Sequence, residues 1–468
     1  MELKAGSHIH LMGICGTAMA SLAGLLKDRG FKITGSDLNP YPPMSTQLES
    51  LGINIMKGYK AENLHPKPDF VIVGNVISAN NEEAQELNRL GIPFTSLPKA
   101  MGEFIIQNRE SVVISGTHGK TTTTSMMSWV AEVQGVKPGF LIGGIAKNFS
   151  QSFKNPEGNY FVIEGDEYDT AYFDKVPKFV HYKPKHVILT SVEFDHADIY
   201  KDLQAVKDSF AKLMHLIPEN GTLLACADDA NVMELRKLAR CKNSYSYGIG
   251  KGDFQAEILS QDEKGVNFQV RHGGEVLGPY LVSLTGDYNI LNATAVIGLS
   301  KCLGFSESNI KKALESFEGV KRRQEILGEP NGILVIEDFA HHPTAVRETV
   351  KGIQKKYPNR KVFSVFEPRS ATSRRKVFQK DYVEAFKGSH EVLLAKAFDQ
   401  SKIDEENRFS SHELVADLRE SGVTAEDFDS ADQIVSALKS RAKRGDVILI
   451  MSNGGFDGIY VKLMNALA

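Results

Sequence analysis

The sequence predicts an α/β fold of three domains built on largely parallel sheets. Apolar runs of strand length that end in glycine, carboxylate or histidine recur along the chain, and helical stretches follow several of them. At 468 residues the chain also exceeds what one ordinary core can fill.

The first unit opens with the apolar run HIHLMGICG and the helical stretch TAMASLAGLLKDRG, which sets Met19, Leu22, Ala23 and Leu26 on one face. FKITGSD and DFVIVGN (69–75) supply further strands. A second unit starts near Ser111 with SVVISGTHGKTTTTSMMSWVAEV, a strand, a glycine loop and a helix. It continues through NYFVIEGDE (159–167) and KHVILTSVEFDH (185–196). From Ala256 to Leu284 the pattern turns to period two around His-Gly-Gly at 272–274, which predicts an antiparallel hairpin. A third unit begins near Ile326, where GILVIEDFAHHP, KVFSVFEPR, HEVLLAKAF and GDVILIMSNGG repeat the strand-then-polar-tip pattern. No short repeat or low-complexity linker interrupts the units.

Hydrophobic content of 42% and charged content of 24% are those of an ordinary globular protein. The 55 basic and 58 acidic residues nearly cancel to a formal charge of −3, so no field of one sign is present to hold nucleic acid or an anionic membrane. A small-molecule partner is expected, with no nucleic acid and no membrane. Four scattered cysteines without a CxxC pair read as reduced, mostly buried thiols. The absence of a basic leader with an apolar core, and of any run near the ~20 residues that span a bilayer, predicts a cytoplasmic protein.

Two glycine loops carry the chemistry. Gly13-Ile14-Cys15-Gly16-Thr17-Ala18 lies between strand and helix, with Asp37 ending the next strand. Its spacing, G-x-x-G-x-A, is not the full dinucleotide fingerprint, so a tight turn, NAD and another nucleotide diphosphate all stay open. The second loop, Gly116-Thr117-His118-Gly119-Lys120-Thr121-Thr122, is more specific. Backbone N–H groups and a helix start make an anion cradle, Lys120 suits β- and γ-phosphates, and the Thr121 hydroxyl suits Mg²⁺. It is two residues shorter than the usual phosphate loop. Glu164-Gly165-Asp166-Glu167 and Glu193-Phe194-Asp195-His196 end the next two predicted strands. A carboxylate there is a natural oxygen ligand for a hard cation, and a solvated acidic turn is the plainer alternative.

With GTHGKTTT, EGDEYD, EFDHADIY, GDYNILNATA (286–295), RRQE (322–325) and EDFAHHP (337–343), the chain resembles the Mur ligase family over essentially its whole length. The resemblance implies a Rossmann-like UDP-binding N-terminal domain (1–108), a central P-loop ATPase domain (109–321) and a Rossmann-like C-terminal domain (322–468). It implies that Gly13 to Ala18, Ser36 and Asp37 hold a UDP-sugar rather than NAD. It assigns ATP to Gly116 through Thr122, Asn289, Asn292, Arg323 and Asp338, and Mg²⁺ to Thr121, Glu164 and His196. Lys120, His196 and His342 would be catalytic, and His342, Arg369 and Arg374 would face the incoming peptide. Tyr288 stands where a histidine is common, and Ala211 falls where several relatives carry a carbamylated lysine.

Within the family, YPPMST (41–46), GNVISANN (74–81), KPGFLIGG (137–144), KFVHYKP (178–184), EPRSAT (367–372) and MSNGGFDGI (451–459) resemble one member type. It joins UDP-N-acetylmuramate to the tripeptide L-alanyl-γ-D-glutamyl-meso-diaminopimelate through an acyl phosphate, in peptidoglycan recycling. The alternative is the sibling that adds L-alanine in de novo synthesis. A NAD-dependent dehydrogenase, read from the first loop alone, leaves Lys120, Thr121 and the acidic strand ends without a task.

Overall fold

Three large sheets, with a two-stranded one of Asp169–Ala171 and Asp174–Pro177 beside them, organise the computed structural model, which describes residues 3–40, 42 and 44–468. Tyr41 and Pro43 of the YPPMST segment lie outside the described residues. The first sheet is parallel, in the order Asn54–Lys57, Lys32–Asp37, His8–Met12, Phe70–Val73, Phe94–Ser96. Its strand order reverses beside His8–Met12, so the first glycine loop leaves the sheet at the switch point, where α/β proteins place ligands.

The helix Thr17–Asp28 covers this sheet, and the expected face of Met19, Leu22, Ala23 and Leu26 is buried. Its other side is buried too, against the central unit. A Cβ on Gly24 would lie 2.1 Å from the Phe153 ring, and the Ser21 and Ser152 hydroxyls hydrogen-bond at 2.7 Å. The helix therefore sits between two sheets instead of facing solvent.

The central sheet has ten strands. Glu110–Ser115 lies between His186–Leu189 and Tyr160–Gly165, all parallel, so the phosphate loop and both acidic strand ends emerge at one edge. The predicted hairpin is present as Gly265–His272 and Glu275–Val282, turning through Gly273 and Gly274 at φ 57° and 87°. It is not a separate element, because Phe254–Asp262 pairs parallel to Asn243–Ile249 and antiparallel to Gly265–His272, extending the main sheet.

The C-terminal sheet runs Glu325–Gly328, Leu334–Asp338, Val447–Met451, Val362–Phe366, Glu391–Ala395, Ala425–Phe428, with only the first strand antiparallel. Both of its faces are buried: Leu334 and Ile336 point into one cluster, Ile333 and Val335 into the other. One apolar cluster joins the first two units, whereas the C-terminal unit keeps its own cores. It meets the central unit through polar contacts, among them Thr372 Oγ1 to Asp195 at 2.7 Å and Gln324 Nε2 to the Thr285 carbonyl at 3.0 Å. Among the described residues no helix is long and apolar enough to cross a membrane. The four cysteines are free, three of them buried.

Candidate active site

All three units line one cavity of about 1010 Å³. From the first loop, Gly16, Thr17 and Ala18 reach it, while Gly13, Ile14, Cys15, Ser36 and Asp37 stand behind them. The Gly13 and Ile14 N–H groups donate to the Ser36 carbonyl at 2.8 and 3.0 Å, and Cys15 N–H donates to Asp37 Oδ2 at 2.9 Å. Ser36 is fully buried and its hydroxyl donates to Glu83 Oε1 at 3.0 Å. Glu83 is also met by His10 Nε2 at 2.7 Å and Asn63 Nδ2 at 3.1 Å. Ser36 and Asp37 thus shape the loop through its backbone. Burial and the Asp37 charge push the Cys15 thiol up to about 12, so it is an inert packing group.

The phosphate loop packs as tightly as its glycines allow. A Cβ on Gly116 would lie 2.2 Å from Thr190 Oγ1, and one on Gly119 would lie 2.7 Å from Asn292 Oδ1. Both glycines also have positive φ, 133° and 83°. The Thr117 N–H donates to the Ser191 carbonyl at 2.9 Å and the His118 N–H to its hydroxyl at 3.0 Å. The cradle therefore narrows to Lys120, Thr121 and Thr122, first-turn residues of the helix Lys120–Val133, whose N–H groups no helix carbonyl can accept. Lys120 Nζ donates to the Gly116 carbonyl at 2.6 Å and to Glu167 Oε2 at 3.3 Å. Although burial opposes its charge, Glu167 and Asp166 raise the Lys120 pKa, so the ammonium is permanent.

Thr121 Oγ1 donates to Glu164 Oε2 at 3.0 Å. Burial, reinforced by Asp166, raises the Glu164 pKa, the signature of an acid short of positive charge. Asp166 is the opposite case: burial works against its charge, but Lys178 and Lys120 hold its pKa down at about 2. Lys178 Nζ donates to Asp166 Oδ2 at 2.9 Å and to the Tyr168 hydroxyl at 3.0 Å, and lies 4.2 Å from the Tyr168 ring centre. His196 has a left-handed backbone (φ 53°), and its Nε2 is 3.5 Å from Glu167 Oε1.

Asn289 and Asn292 line the cavity side by side, with Asn292 Nδ2 donating to Asn289 Oδ1 at 3.4 Å. Arg323 stacks its guanidinium 4.4 Å from the Phe339 ring centre and also lines the cavity. Asp338 is buried and accepts the Gln324 N–H at 2.8 Å and the Ala340 N–H at 2.8 Å, so it clamps the turn that carries Arg323. His342 caps the helix Pro343–Lys356 by accepting the Thr344 N–H. Burial and the neighbouring His118 lower its pKa to about 4.

Arg369 and Arg374 do not line the cavity. Arg369 stacks 3.7 Å from the Phe398 ring centre and donates to Glu367 at 3.2 Å. Arg374 donates to the Ser370 and Asp399 carbonyls at 3.3 and 2.5 Å, tying two loops together. Glu193, one of the strand-end acids, also lines the site, as do Lys178 and Tyr168, which the sequence reading leaves without a role. Nothing local marks Lys178, which acquires its partner Asp166 only through the fold.

A phosphate loop whose threonine touches a buried acid, at the centre of a cavity walled by three units, defines a nucleoside-triphosphate enzyme of the α/β class. The chain belongs to the Mur ligase family, the ATP-dependent amide-forming ligases. The models matched are the Mur ligase family catalytic domain over residues 8–109, the Mur ligase middle domain over 114–300 and the Mur ligase glutamate ligase domain over 322–454. The chain is 38% identical over 462 residues to the UDP-N-acetylmuramate–L-alanyl-γ-D-glutamyl-meso-2,6-diaminoheptandioate ligase of Escherichia coli, covering 98% of each. It is 34% identical over 453 residues to the UDP-N-acetylmuramate–L-alanine ligase of Clostridium tetani, covering 97% of this chain and 96% of that one. A crystal structure of a murein peptide ligase from Psychrobacter arcticus matches with a TM-score of 0.74 at 34% identity, covering 99% of both chains.

Proposed function

We propose that this chain joins UDP-N-acetylmuramate to L-alanyl-γ-D-glutamyl-meso-diaminopimelate in the cytoplasm, using ATP to form an acyl phosphate, in peptidoglycan recycling. The observation that carries the reading is the meeting of both glycine loops and the C-terminal His341 and Thr344 on one cavity.

A carboxylate lacks a leaving group, so activation must come first. In the proposed reaction a lactyl carboxylate oxygen bonds to the γ-phosphorus of ATP and ADP leaves. Lys120 exchanges its Gly116 carbonyl and Glu167 contacts for the phosphoryl oxygens, where it offsets the charge of the transition state. Thr121 and Glu164 are hard oxygen donors already in contact, and a buried acid with a raised pKa suits a cation as its partner. They and His196 would hold Mg²⁺, which when bound supplies further charge neutralisation. Lys178 keeps Asp166 neutralised when Lys120 turns to the phosphate.

The peptide amine then attacks the acyl carbon and phosphate leaves carrying the amine proton, which balances the exchange. His342 lies behind the cavity wall, where its Nδ1 accepts the Thr344 N–H and its Nε2 donates to the Phe194 carbonyl, so it positions the Thr344 turn and leaves no free nitrogen for the amine. Acyl phosphates hydrolyse, so water must be kept out. The C-terminal unit, joined by polar contacts instead of a shared core, is the one able to open and close.

The deciding assay is phosphate release from ATP with UDP-N-acetylmuramate, comparing the tripeptide with free L-alanine. Turnover with the tripeptide alone is expected. Turnover with L-alanine alone would move the chain to the sibling activity and leave the ATP site as described.

A further inference from the structure

His118, Glu193 and His342 converge at the seam between the central and C-terminal units, apart from the Thr121–Glu164 pair. His118 Nε2 is 3.6 Å from Glu193 Oε2, His342 Nδ1 is 3.7 Å from the same oxygen, and all three donor atoms lie within 4.8 Å of one another. Ligands about 2.0–2.2 Å from a tetrahedral cation sit about 3.3–3.6 Å apart, so two of the three edges are already near the required length. His118 Nε2 is buried and has no hydrogen-bond partner among the described residues, an orphan that a native structure ordinarily satisfies.

The groups behind these donors fix them for such a role. His342 Nε2 lies 3.2 Å from the Phe194 carbonyl, which can only accept. That nitrogen carries the proton, so Nδ1, 3.7 Å from Glu193, holds the lone pair; it now accepts the Thr344 N–H in a long 3.3 Å bond that a cation would replace. A ring N–H donated to a backbone carbonyl is how metal-binding histidines are commonly oriented. The Thr344 hydroxyl donates to Glu193 Oε2 at 2.7 Å and steadies the carboxylate. His118 and Glu193 open onto the cavity, which leaves room for a fourth ligand from solvent or substrate.

We infer that His118, Glu193 and His342 form a site for one divalent transition cation of the zinc class, bridging the central and C-terminal units. Two imidazoles and one carboxylate suit zinc, cobalt or nickel and not the all-oxygen preference of magnesium. A cation here ties His342 to the phosphate loop and so holds the C-terminal unit in place.

The test is Zn²⁺ titration of the full chain against a fluorescent chelator without ATP or Mg²⁺, with Co²⁺ absorption as a second readout. One equivalent is expected, with visible Co²⁺ bands of four- or five-coordinate intensity. His342→Ala, Glu193→Gln and His118→Asn should each weaken binding by about 10–100-fold or more and remove those bands, whereas His196→Asn should leave both. Variants are compared only where their melting curves remain cooperative, and loss in two of the three suffices. Binding lost in His196→Asn and kept in the other variants, or no saturable equivalent at all, would overturn the inference. Because neither readout uses turnover, its failure stays distinct from failure of the ligase reading.

Discussion

Replacing Lys178 by methionine isolates the charge balance around the phosphate loop. Asp166 lies between two ammonium groups, Lys178 at 2.9 Å and Lys120 at 3.8 Å. They hold its pKa at about 2 against an ordinary 3.8, a shift of about 1.8 units that already includes the opposing effect of burial. At about 1.4 kcal/mol per unit this is roughly 2.5 kcal/mol of net stabilisation. Methionine keeps the aliphatic volume but leaves Asp166 with Lys120 and the Tyr168 hydroxyl. Breaking a buried pair outright costs about 3–5 kcal/mol, and the remaining partners reduce this to an expected loss of about 2–3 kcal/mol. For a unit of this size that lowers the melting temperature by about 4–10 °C. The folded pKa of Asp166 is depressed, so its stabilisation is complete above pH 3.8 and is lost as pH falls toward 2. The melting difference should therefore be flat from pH 6 to 8. ATP should bind more weakly as well, because Asp166 now competes for Lys120, and Lys178→Arg should restore most of both properties. A melting temperature within 1 °C of the parent, or equal losses for methionine and arginine, would refute the charge argument.

Glu164→Gln removes a buried acid whose pKa is raised, so the folded state loses a cost at neutral pH. Its melting temperature should hold or rise while turnover falls about 10²–10³-fold and the Mg²⁺ needed for half-maximal rate increases. His342 has a folded pKa of about 4 against 6.5, so the protein should lose up to about 3 kcal/mol as pH falls from 6.5 to 4; denaturation of His342→Gln should show a flatter dependence across that window. Gly24→Ala gains about 1 kcal/mol of helix propensity but drives a methyl into the Phe153 ring, costing about 1–3 kcal/mol. Calorimetry should show net destabilisation, relieved by Phe153→Leu in the same chain.

The parts of the site legible in sequence are those whose chemistry is local. Gly116 to Thr122 is a contiguous loop between a strand and a helix, and its glycines are dictated by positive φ and by neighbours too close for a side chain. Glu164 ends the strand beside it, so the Thr121–Glu164 contact follows from parallel pairing of Glu110–Ser115 with Tyr160–Gly165. Ser36 and Asp37 are legible as loop partners, but sequence cannot separate a side chain that meets a ligand from one that shapes the backbone behind it. Only the fold shows Ser36 committed to Glu83. The helix Thr17–Asp28 reads as one-sided because periodicity reports one apolar face; the small residues Ser21 and Gly24 on the other are equally compatible with solvent and with the close approach that Phe153 makes.

Lys178 and Glu193 are harder still, because their roles are relations across the fold. The acids Glu164, Asp166 and Glu167 crowd one edge of the central sheet, and Lys120 and Lys178 oppose them at different strengths. Burial leaves Glu164 the undercompensated member and Asp166 the overcompensated one, although they are two residues apart. That asymmetry makes chemical sense. An acid held firmly ionised by two ammonium groups is a poor cation ligand, since a cation there would have to displace both. An acid short of positive charge, with a hydroxyl already beside it, gains most from one. The fold thus separates a carboxylate already neutralised by two ammonium groups from one that a cation would suit within a single acidic motif, a distinction that residue type and spacing alone leave open.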